Sequence, residues 1–265
     1  KERISFHPYL TIGISLASDF LGKNTKLEVF NKQTLGPLFS YFMPNYSEDI
    51  LAALVRNNGA LAIRFAQLPS LKQSEKLSIK FCPLCVEMDI KLYGVSYWHR
   101  SHQIPGVEAC SVHKIWLIHQ ELPARPHIKI GFFPKKCLSA KTCNLLSFKF
   151  SIYACAFLDS ITKMKSTYDL NCLISKLDSH GYVTKNGRFR RKKMTSDLFY
   201  FSNRLKNVSI DLLPHSKHDY KYLSYLLSGV SSQHPFKYLL VSFWLDSADC
   251  IDPKKGSELT EERAS

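Results

Sequence analysis

The sequence is short of acidic side chains and lacks the motifs that mark the common enzyme classes. Asp and Glu total 22 against 36 Lys and Arg, and no spacing singles out the converging carboxylates of a two-metal nuclease or transposase. The phosphate-binding loop G-x-x-x-x-G-K-[ST], the H-E-x-x-H motif and the G-x-S-x-G motif are missing as well. The sequence therefore predicts a binding protein rather than an enzyme.

Long apolar runs are also missing. The longest candidates, such as Leu239 to Leu245, fall far short of the roughly 20 residues that a membrane-spanning helix needs. Residues 1–19 lack the charged head and continuous apolar core of a secretory signal. The 265 residues are enough for two domains with a sizeable core, and we expect no membrane partner.

Positive charge is abundant and concentrated. The formal net charge is +14 with a pI near 9.4, which predicts a polyanionic partner, either nucleic acid or an acidic membrane surface. Residues 181–206 contain eight Lys and Arg against one Asp, so this segment carries +7, half of the total. Its basic side chains are Lys185, Arg188, Arg190, Arg191, Lys192, Lys193, Arg204 and Lys206.

Two short knuckles predict a metal site. Two residues separate Cys82 from Cys85, and two separate Cys110 from His113. Each tight turn directs two ligands at one point, and two such turns supply the tetrahedron that Zn²⁺ adopts in closed structural sites. Three thiolates and one imidazole leave no open coordination position, so we expect one structural rather than catalytic zinc ion.

Two other interpretations of these cysteines are weaker. Cysteine is among the most buried residue types, but two such knuckles in one short segment are a rare coincidence. A disulfide framework is typical of small secreted domains, and this chain has neither their size nor a secretory signal. The other cysteines form no second knuckle and are expected to be free thiols: Cys137, Cys143, Cys155, Cys172 and Cys250.

The knuckles belong to a longer pattern of ligands, aromatic residues and turn residues. In order, it contains Cys82 to Cys85, Tyr93-Gly94, Tyr97-Trp98-His99-Arg100, Ile104-Pro105 and Cys110 to His113. This pattern resembles the TniQ/TnsD family, the target-site selector proteins of bacterial transposons. Three further segments resemble TnsD more than the short TniQ proteins. They are T-L-G-P-L-F at 34–39, the G-Y-V-T and G-R-F-R elements within 181–190, and His234-Pro235.

The resemblance implies a function. A TnsD-like protein binds a specific chromosomal attachment site in double-stranded DNA and recruits the AAA+ ATPase regulator of the transposon, a TnsC-like protein. It breaks no bonds itself and works in the bacterial cytoplasm, associated with the nucleoid. The family's opening helix is not found here and the resemblance stops after Leu245, so we expect a chain truncated at both ends.

We expect a mainly α fold with a small zinc-ribbon-like α+β module. The multi-helix units would include a helix-turn-helix-like DNA-binding segment. The expected parts are the helical start of a TniQ-like domain at 1–80 with its beginning missing, a Cys3His zinc module at 81–135, a helical TnsD-like DNA-binding region at 136–245 and a disordered tail at 246–265.

Several local signals support this organisation. Ser47 followed by two acidic residues predicts a helix start, and Asn57-Asn58-Gly59 predicts a break before a helix at 60–68. The alternation at 114–119 predicts a strand. Asn186-Gly187 predicts a turn between short extended pieces, followed by a helix.

The basic segment is the expected nucleic-acid contact. Lys and Arg bind phosphates, and Arg also reads guanine edges. The candidates are Lys185, Arg188, Arg190, Arg191, Lys192 and Lys193, together with Arg100 between the knuckles. A solvated charged face is the plainer interpretation of the run, although interleaved aromatics favour an ordered unit. For Arg100, a brace within the zinc module is the alternative.

Three further hypotheses stay open. The first is a TniQ-type adaptor of a CRISPR-associated transposition complex, although the 181–206 segment favours a DNA reader. The charge and aromatics of the chain also suit a zinc-stabilised RNA-binding protein. A non-functional remnant would explain the missing family opening.

Overall fold

Helices make up most of the residues that the structure describes. The computed structural model describes residues 9–10, 25–68, 78–121, 133–137, 139–164, 168–228 and 233–247. The helices in these ranges are α1 Thr25–Gln33, α2 Gly36–Phe42, α3 Ser47–Val55, α4 Gly59–Phe65, α5 Pro83–Tyr93, α6 Leu145–Met164, α7 Leu170–Ser179, α8 Arg191–Ser202, α9 Tyr220–Ser228 and α10 Pro235–Ser247. The same ranges contain two strands, β1 Ser78–Phe81 and β2 Ile118–Glu121. The predicted mainly α class with a small α+β module is confirmed.

The N-terminal helices begin where local side chains favour a start. α3 begins at the predicted Ser47, and its first turn contains two carboxylates that complement the helix dipole. α4 follows the predicted break because the side chain of Asn58 accepts a hydrogen bond from the Leu61 amide at 3.0 Å. This helix ends at Phe65, short of the predicted Leu68.

The small module is built on an antiparallel β1–β2 pair. The register runs from Ser78 opposite Glu121 to Phe81 opposite Ile118. The strand predicted at 114–119 starts only at Ile118, because the backbone before it makes isolated bridges, such as Ala109 with Trp116, in place of a continuous ladder. The strand pair thus brings the segment before Cys82 next to the segment after His113.

Helix α10 lies at the centre of the core. Its buried side chains are Pro235, Phe236, Tyr238, Leu239, Leu240, Val241, Phe243, Trp244 and Leu245. The helix contacts α2, α6, α7 and α8. Phe42 of α2 stacks on Tyr238 with ring centroids 4.7 Å apart. Buried side chains of the 1–80, 81–135 and 136–245 segments therefore form one hydrophobic cluster.

Gly106 joins the small module to this core. Its φ of +75° lies in the left-handed region, which favours glycine. A Cβ atom at this position would lie only 2.0 Å from Cε2 of Phe236, which is fully buried. The close approach of the 104–108 loop to α10 therefore requires glycine.

Helix α6 corrects the expectation that no apolar stretch is long enough to span a membrane. Leu145–Lys163 is long and apolar enough by length and composition alone. The helix contacts α2 and α10, and its inner face buries Phe150, Ala154 and Leu158. No uninterrupted apolar run marks this helix in the sequence, because single polar residues break the run without removing its overall hydropathy. One face of the helix packs on the core, and about a third of the Leu145–Lys163 stretch is buried, 33%.

The end of α10 extends past the boundary drawn at Leu245. The Asp246 carboxylate accepts hydrogen bonds from Lys176 Nζ at 2.6 Å and from the Tyr153 hydroxyl at 3.1 Å. These contacts tie the last turn to α7 and α6. Residues 248–265 of the expected tail lie outside the described residues.

A buried ion pair holds the 104–108 loop on the sheet. Lys80 of β1 donates to the carbonyl of Val107 at 2.6 Å and to Glu108 Oε1 at 3.2 Å. The other Glu108 oxygen lies 2.6 Å from His119 Nε2. Burial opposes ionisation of Glu108, but the charge of Lys80 and the hydrogen bond from His119 outweigh it and lower the Glu108 pKa.

Removing the ammonium group of Lys80 tests how much the Lys80–Glu108 pair contributes to the stability of the protein. We expect Lys80→Met to lower the free energy of unfolding by about 3 kcal/mol, because Glu108 would be left buried without its main partner. Lys80→Met combined with Glu108→Leu should recover at least half of that loss. Denaturant unfolding of the metal-loaded protein measures both.

The exposed pair of Lys32 with Glu28 provides the control. Lys32→Met should cost less than about 1 kcal/mol, as is usual for surface ion pairs. Equal losses for Lys80→Met and Lys32→Met would contradict a structural role for the buried pair.

Candidate metal centre and basic surface

The strand pair and the first turn of α5 position two of the predicted ligands. Cys82 follows β1 in extended backbone and is the N-cap of α5. Pro83 occupies the first helical position, where its fixed φ favours a helix start. Cys85 lies in the first turn, and both thiols are buried.

The second pair of ligands lies on a tight loop before β2. The Cys110 amide donates to the Ile115 carbonyl at 2.9 Å, and the Lys114 amide donates back to the Cys110 carbonyl at 3.2 Å. Lys114 has a positive φ of 52° at the bend. This closed loop directs Cys110 and His113 toward the first pair.

The four ligand atoms have the spacing of a tetrahedral metal site. Sγ of Cys82, Cys85 and Cys110 and a ring nitrogen of His113 all lie within 4.8 Å of one another. Metal–sulfur bonds of about 2.3 Å and metal–nitrogen bonds of about 2.0 Å at tetrahedral angles separate two sulfurs by about 3.8 Å and sulfur from nitrogen by about 3.5 Å. Cys85 Sγ lies 3.7 Å from Cys110 Sγ, and His113 Nδ1 lies 3.4 Å from both Cys82 Sγ and Cys85 Sγ. The cluster thus fits one metal ion.

Mutual hydrogen bonding differentiates the thiols. Hydrogen bonds from Cys82 and Cys85 lower the pKa of Cys110. The hydrogen bond with Cys110 raises the pKa of Cys82 to about 11 and also raises that of Cys85. Protons must therefore leave this cluster when a metal ion binds.

A group of polar and aromatic side chains surrounds the cluster. His113 Nε2, on the far side from the thiols, lies 3.1 Å from Met88 Sδ. His99 pairs with the buried Asp89 at 2.9 Å and stacks on Tyr97 with centroids 4.3 Å apart. Burial lowers the pKa of His102, which keeps this imidazole neutral next to the thiols.

Arg100 braces the module against both helical parts of the chain. Its guanidinium donates to the backbone carbonyls of Asn31 and, at 3.4 Å, Thr34, beside the end of α1. Nη2 also lies 3.5 Å from Asp159 of α6. The structure therefore favours the bracing alternative for Arg100, and we leave this residue out of the DNA surface proposed below.

The segment that holds the four ligands matches a known family model. Residues 22–117 match the family model of TniQ. This match supports the TniQ family for a little over a third of the chain and associates the protein with transposition complexes. No curated protein matches the sequence. The TniQ domain contains α1 to α5 and all four ligands of the metal site.

The basic segment lies outside the TniQ domain and forms a hairpin followed by a helix. The Thr184 amide donates to the Arg188 carbonyl at 2.8 Å, and the Arg190 amide donates to the Tyr182 carbonyl at 2.8 Å. The predicted turn contains Gly187 at φ +72°. The piece between α7 and α8 is thus longer than the 3–4-residue turn of a helix-turn-helix, because it folds as a hairpin.

All six predicted cations of this segment are exposed. They are Lys185, Arg188, Arg190, Arg191, Lys192 and Lys193. The last four line an open pocket with a volume of about 570 Å³, together with Ser196 and Asp197. The structure brings these four side chains together at the N-terminus of α8, and Lys185 and Arg188 lie on the hairpin that precedes them.

Tyr182 fixes the hairpin to the core. Its hydroxyl donates to Asp197 Oδ2 at 2.9 Å, its ring lies 5.0 Å from that of Trp244, and Lys193 Nζ lies 5.2 Å from its centroid. Burial raises the Tyr182 pKa, so the hydroxyl remains a donor at neutral pH. These contacts connect the hairpin with α8 and α10.

Sequence reasoning missed the polar residues that hold the site together. Gln103 accepts a hydrogen bond from the Lys80 amide at 2.9 Å and donates to the Lys80 carbonyl at 2.6 Å. Lys80 and Glu108 are 28 positions apart. No local spacing indicates such pairs, because β1 reads Ser-Ile-Lys-Phe and Lys80 therefore looks like an ordinary solvent-facing position of an alternating strand.

Loss of one ligand should abolish metal binding. We expect one metal ion per chain in the purified protein, and none in Cys82→Ser, because a hydroxyl is a poor replacement for a thiolate. Cys172→Ser is the matched control, since this cysteine is exposed on α7 and outside the cluster. Elemental analysis measures the stoichiometry, and unchanged metal content in Cys82→Ser would reject the site.

Proposed function

We propose that this protein is a DNA-binding target-site selector for bacterial transposition. In this proposal, the hairpin and the start of α8 bind double-stranded DNA at the chromosomal attachment site, and the TniQ domain contributes to recruitment of the AAA+ ATPase regulator, a TnsC-like protein. The observation that carries the proposal is the cluster of exposed cations at the N-terminus of α8, Arg190 to Lys193.

The position of this cluster is unfavourable without an anion. Cations in the first turn of a helix oppose the helix dipole, which favours negative charge there by about 0.3–1 kcal/mol per group. α8 has three cations in its first turn, no acidic residue there and no side-chain cap from Arg190. A DNA phosphate at this end would be attracted by the side chains, the dipole and the free amides together.

The hairpin extends the same surface. Lys185 and Arg188 are exposed on it, and Arg188 suits bidentate contact with a guanine edge in the major groove. A solvated charge run needs no fixed backbone, whereas this one is fixed by Tyr182 and by the hairpin hydrogen bonds. The ordered backbone therefore favours a binding surface over a plain solvated face.

Zinc is the metal that we propose for the cluster. Thiolate and imidazole ligands in a tetrahedron are typical of Zn²⁺, and four protein ligands leave no position for a reacting water. The chain would thus use zinc to hold the TniQ domain together and would catalyse no reaction. A role on chromosomal DNA places the protein in the bacterial cytoplasm, associated with the nucleoid.

An apolar surface on the metal module supports a protein partner. Met88, Leu92, Tyr93, Tyr97 and Val112 are all exposed by 44% or more. Met88 and Leu92 are one turn apart on α5, and Met88 contacts His113, the residue after Val112. The rings of Tyr93 and Tyr97 have centroids 6.2 Å apart. Lys91 is the only charged residue at 90–97, so this face suits a protein rather than DNA. We assign it to the ATPase regulator.

Charge reversal tests the DNA surface. Arg190→Glu with Arg191→Glu should weaken duplex binding at least tenfold and reduce the slope of log K against log salt by about 1.8, since each lost phosphate contact contributes about 0.9. Lys26→Glu with Lys91→Glu makes the same charge change at exposed positions in the TniQ domain and should leave the slope unchanged.

Fluorescence anisotropy over a salt series gives both quantities. An unchanged slope in the Arg190 and Arg191 variant would move the DNA surface elsewhere. Tighter binding to single-stranded RNA than to duplex DNA would favour the RNA-binding alternative, and binding only within a CRISPR effector complex would favour the adaptor.

Acidic substitutions test the apolar face. Leu92→Asp with Tyr93→Asp should lower the affinity for the ATPase regulator of the same transposon at least tenfold, because central apolar side chains dominate interface energies. Tyr225→Asp, at a position 52% exposed on α9, is the control and should bind normally. Calorimetric titration measures the affinities; equal binding by all variants would contradict the assignment.

A further inference from the structure

His102 lies against the metal cluster without being one of its four ligands. The side chain is 3% exposed, and its Nε2 lies 3.8 Å from Cys85 Sγ. Its other ring nitrogen, Nδ1, is buried without a hydrogen-bond partner among the described residues. A buried imidazole with this arrangement needs an explanation, because unpaired polar atoms are costly in a protein interior.

The neighbouring residues hold His102 in this position. It belongs to the short 3-10 turn Arg100–Gln103. The Gln103 amide makes hydrogen bonds to both backbone groups of Lys80, and its Nε2 also donates to the His99 carbonyl at 3.2 Å. The His99 ring lies 4.9 Å from the His102 ring and is itself fixed by Asp89. These contacts hold the turn in place, and the His102 imidazole faces Cys85 from it.

The tautomer follows from the surroundings. A neutral imidazole carries one N–H, and Nδ1 has no partner among the described residues in either tautomer. A proton on Nδ1 would leave a buried donor unpaired and would also direct the Nε2 lone pair at a thiolate. A proton on Nε2 instead points toward the sulfur. Three thiolates and one neutral imidazole around a divalent ion leave one net negative charge, which a buried site must disperse.

We propose that His102 is a positioning residue of the metal centre, whose Nε2–H donates a hydrogen bond to the Cys85 thiolate. This hydrogen bond orients the thiolate and offsets part of the excess negative charge of the centre. The role rests on the zinc site proposed above, and the experiment below separates the two.

Zinc affinity provides the main test. His102→Phe keeps the ring but removes the N–H, and we expect a 10–100-fold weaker zinc affinity, the usual effect of losing a partner of a metal ligand. His102→Gln retains an N–H donor and should recover most of the loss. His234→Phe is the control, because His234 is also 3% exposed but precedes α10 and is not part of the cluster.

Competition with a chromophoric chelator gives the zinc dissociation constants. In the cobalt-substituted protein, the thiolate-to-metal charge-transfer band should move to lower energy in His102→Phe, because a thiolate without its hydrogen bond is a better electron donor. Affinities within twofold of each other for wild type, His102→Phe and His234→Phe would overturn the proposal.

The tautomer can also be read without a variant. Two-bond ¹H–¹⁵N correlations of the zinc-loaded wild-type protein should show His102 protonated on Nε2 alone, and a proton on Nδ1 would overturn the inference. A wild-type protein that binds no zinc would overturn the zinc site together with this role. Zinc binding with an unaffected His102→Phe variant would reject the role of His102 alone.

Discussion

The TniQ domain depends on four ligands converging at one point. Between the end of α5 and the start of β2, the chain has a single 3-10 turn and isolated bridges, so backbone ladders contribute little there. Cys82 and Cys85 lie on the strand and helix side of this segment, and Cys110 and His113 lie on its loop. Metal coordination at these four candidate ligands would therefore hold this segment together where regular secondary structure does not.

Polar contacts connect the candidate metal site with the rest of the chain. The buried Lys80–Glu108 pair and the Gln103 amide fix the loop on the sheet, and Arg100 connects the module with α1 and α6. Gly106 allows the same loop to reach Phe236 of the central helix. The metal centre is therefore continuous with the core that also holds the basic hairpin, through α10 and Trp244.

The proposed activities occupy different surfaces with different chemistry. The hairpin and the start of α8 are dense in cations, whereas the outer face of α5 is apolar and has one charge between residues 90 and 97. Such a separation suits a protein that binds DNA and another protein at the same time.

The sequence by itself determined the features that depend on local spacing. The ligands within each knuckle, the start of α3 at Ser47, the turn at Gly187 and the helix after it are all set by residues close in the chain. Only the tertiary structure decided how far α6 extends and which of its faces packs on the core, that Arg100 braces the module, and that His102 faces Cys85. These features depend on contacts between residues far apart in the chain. The separation of two such residues in the sequence does not indicate how close they lie in the folded protein.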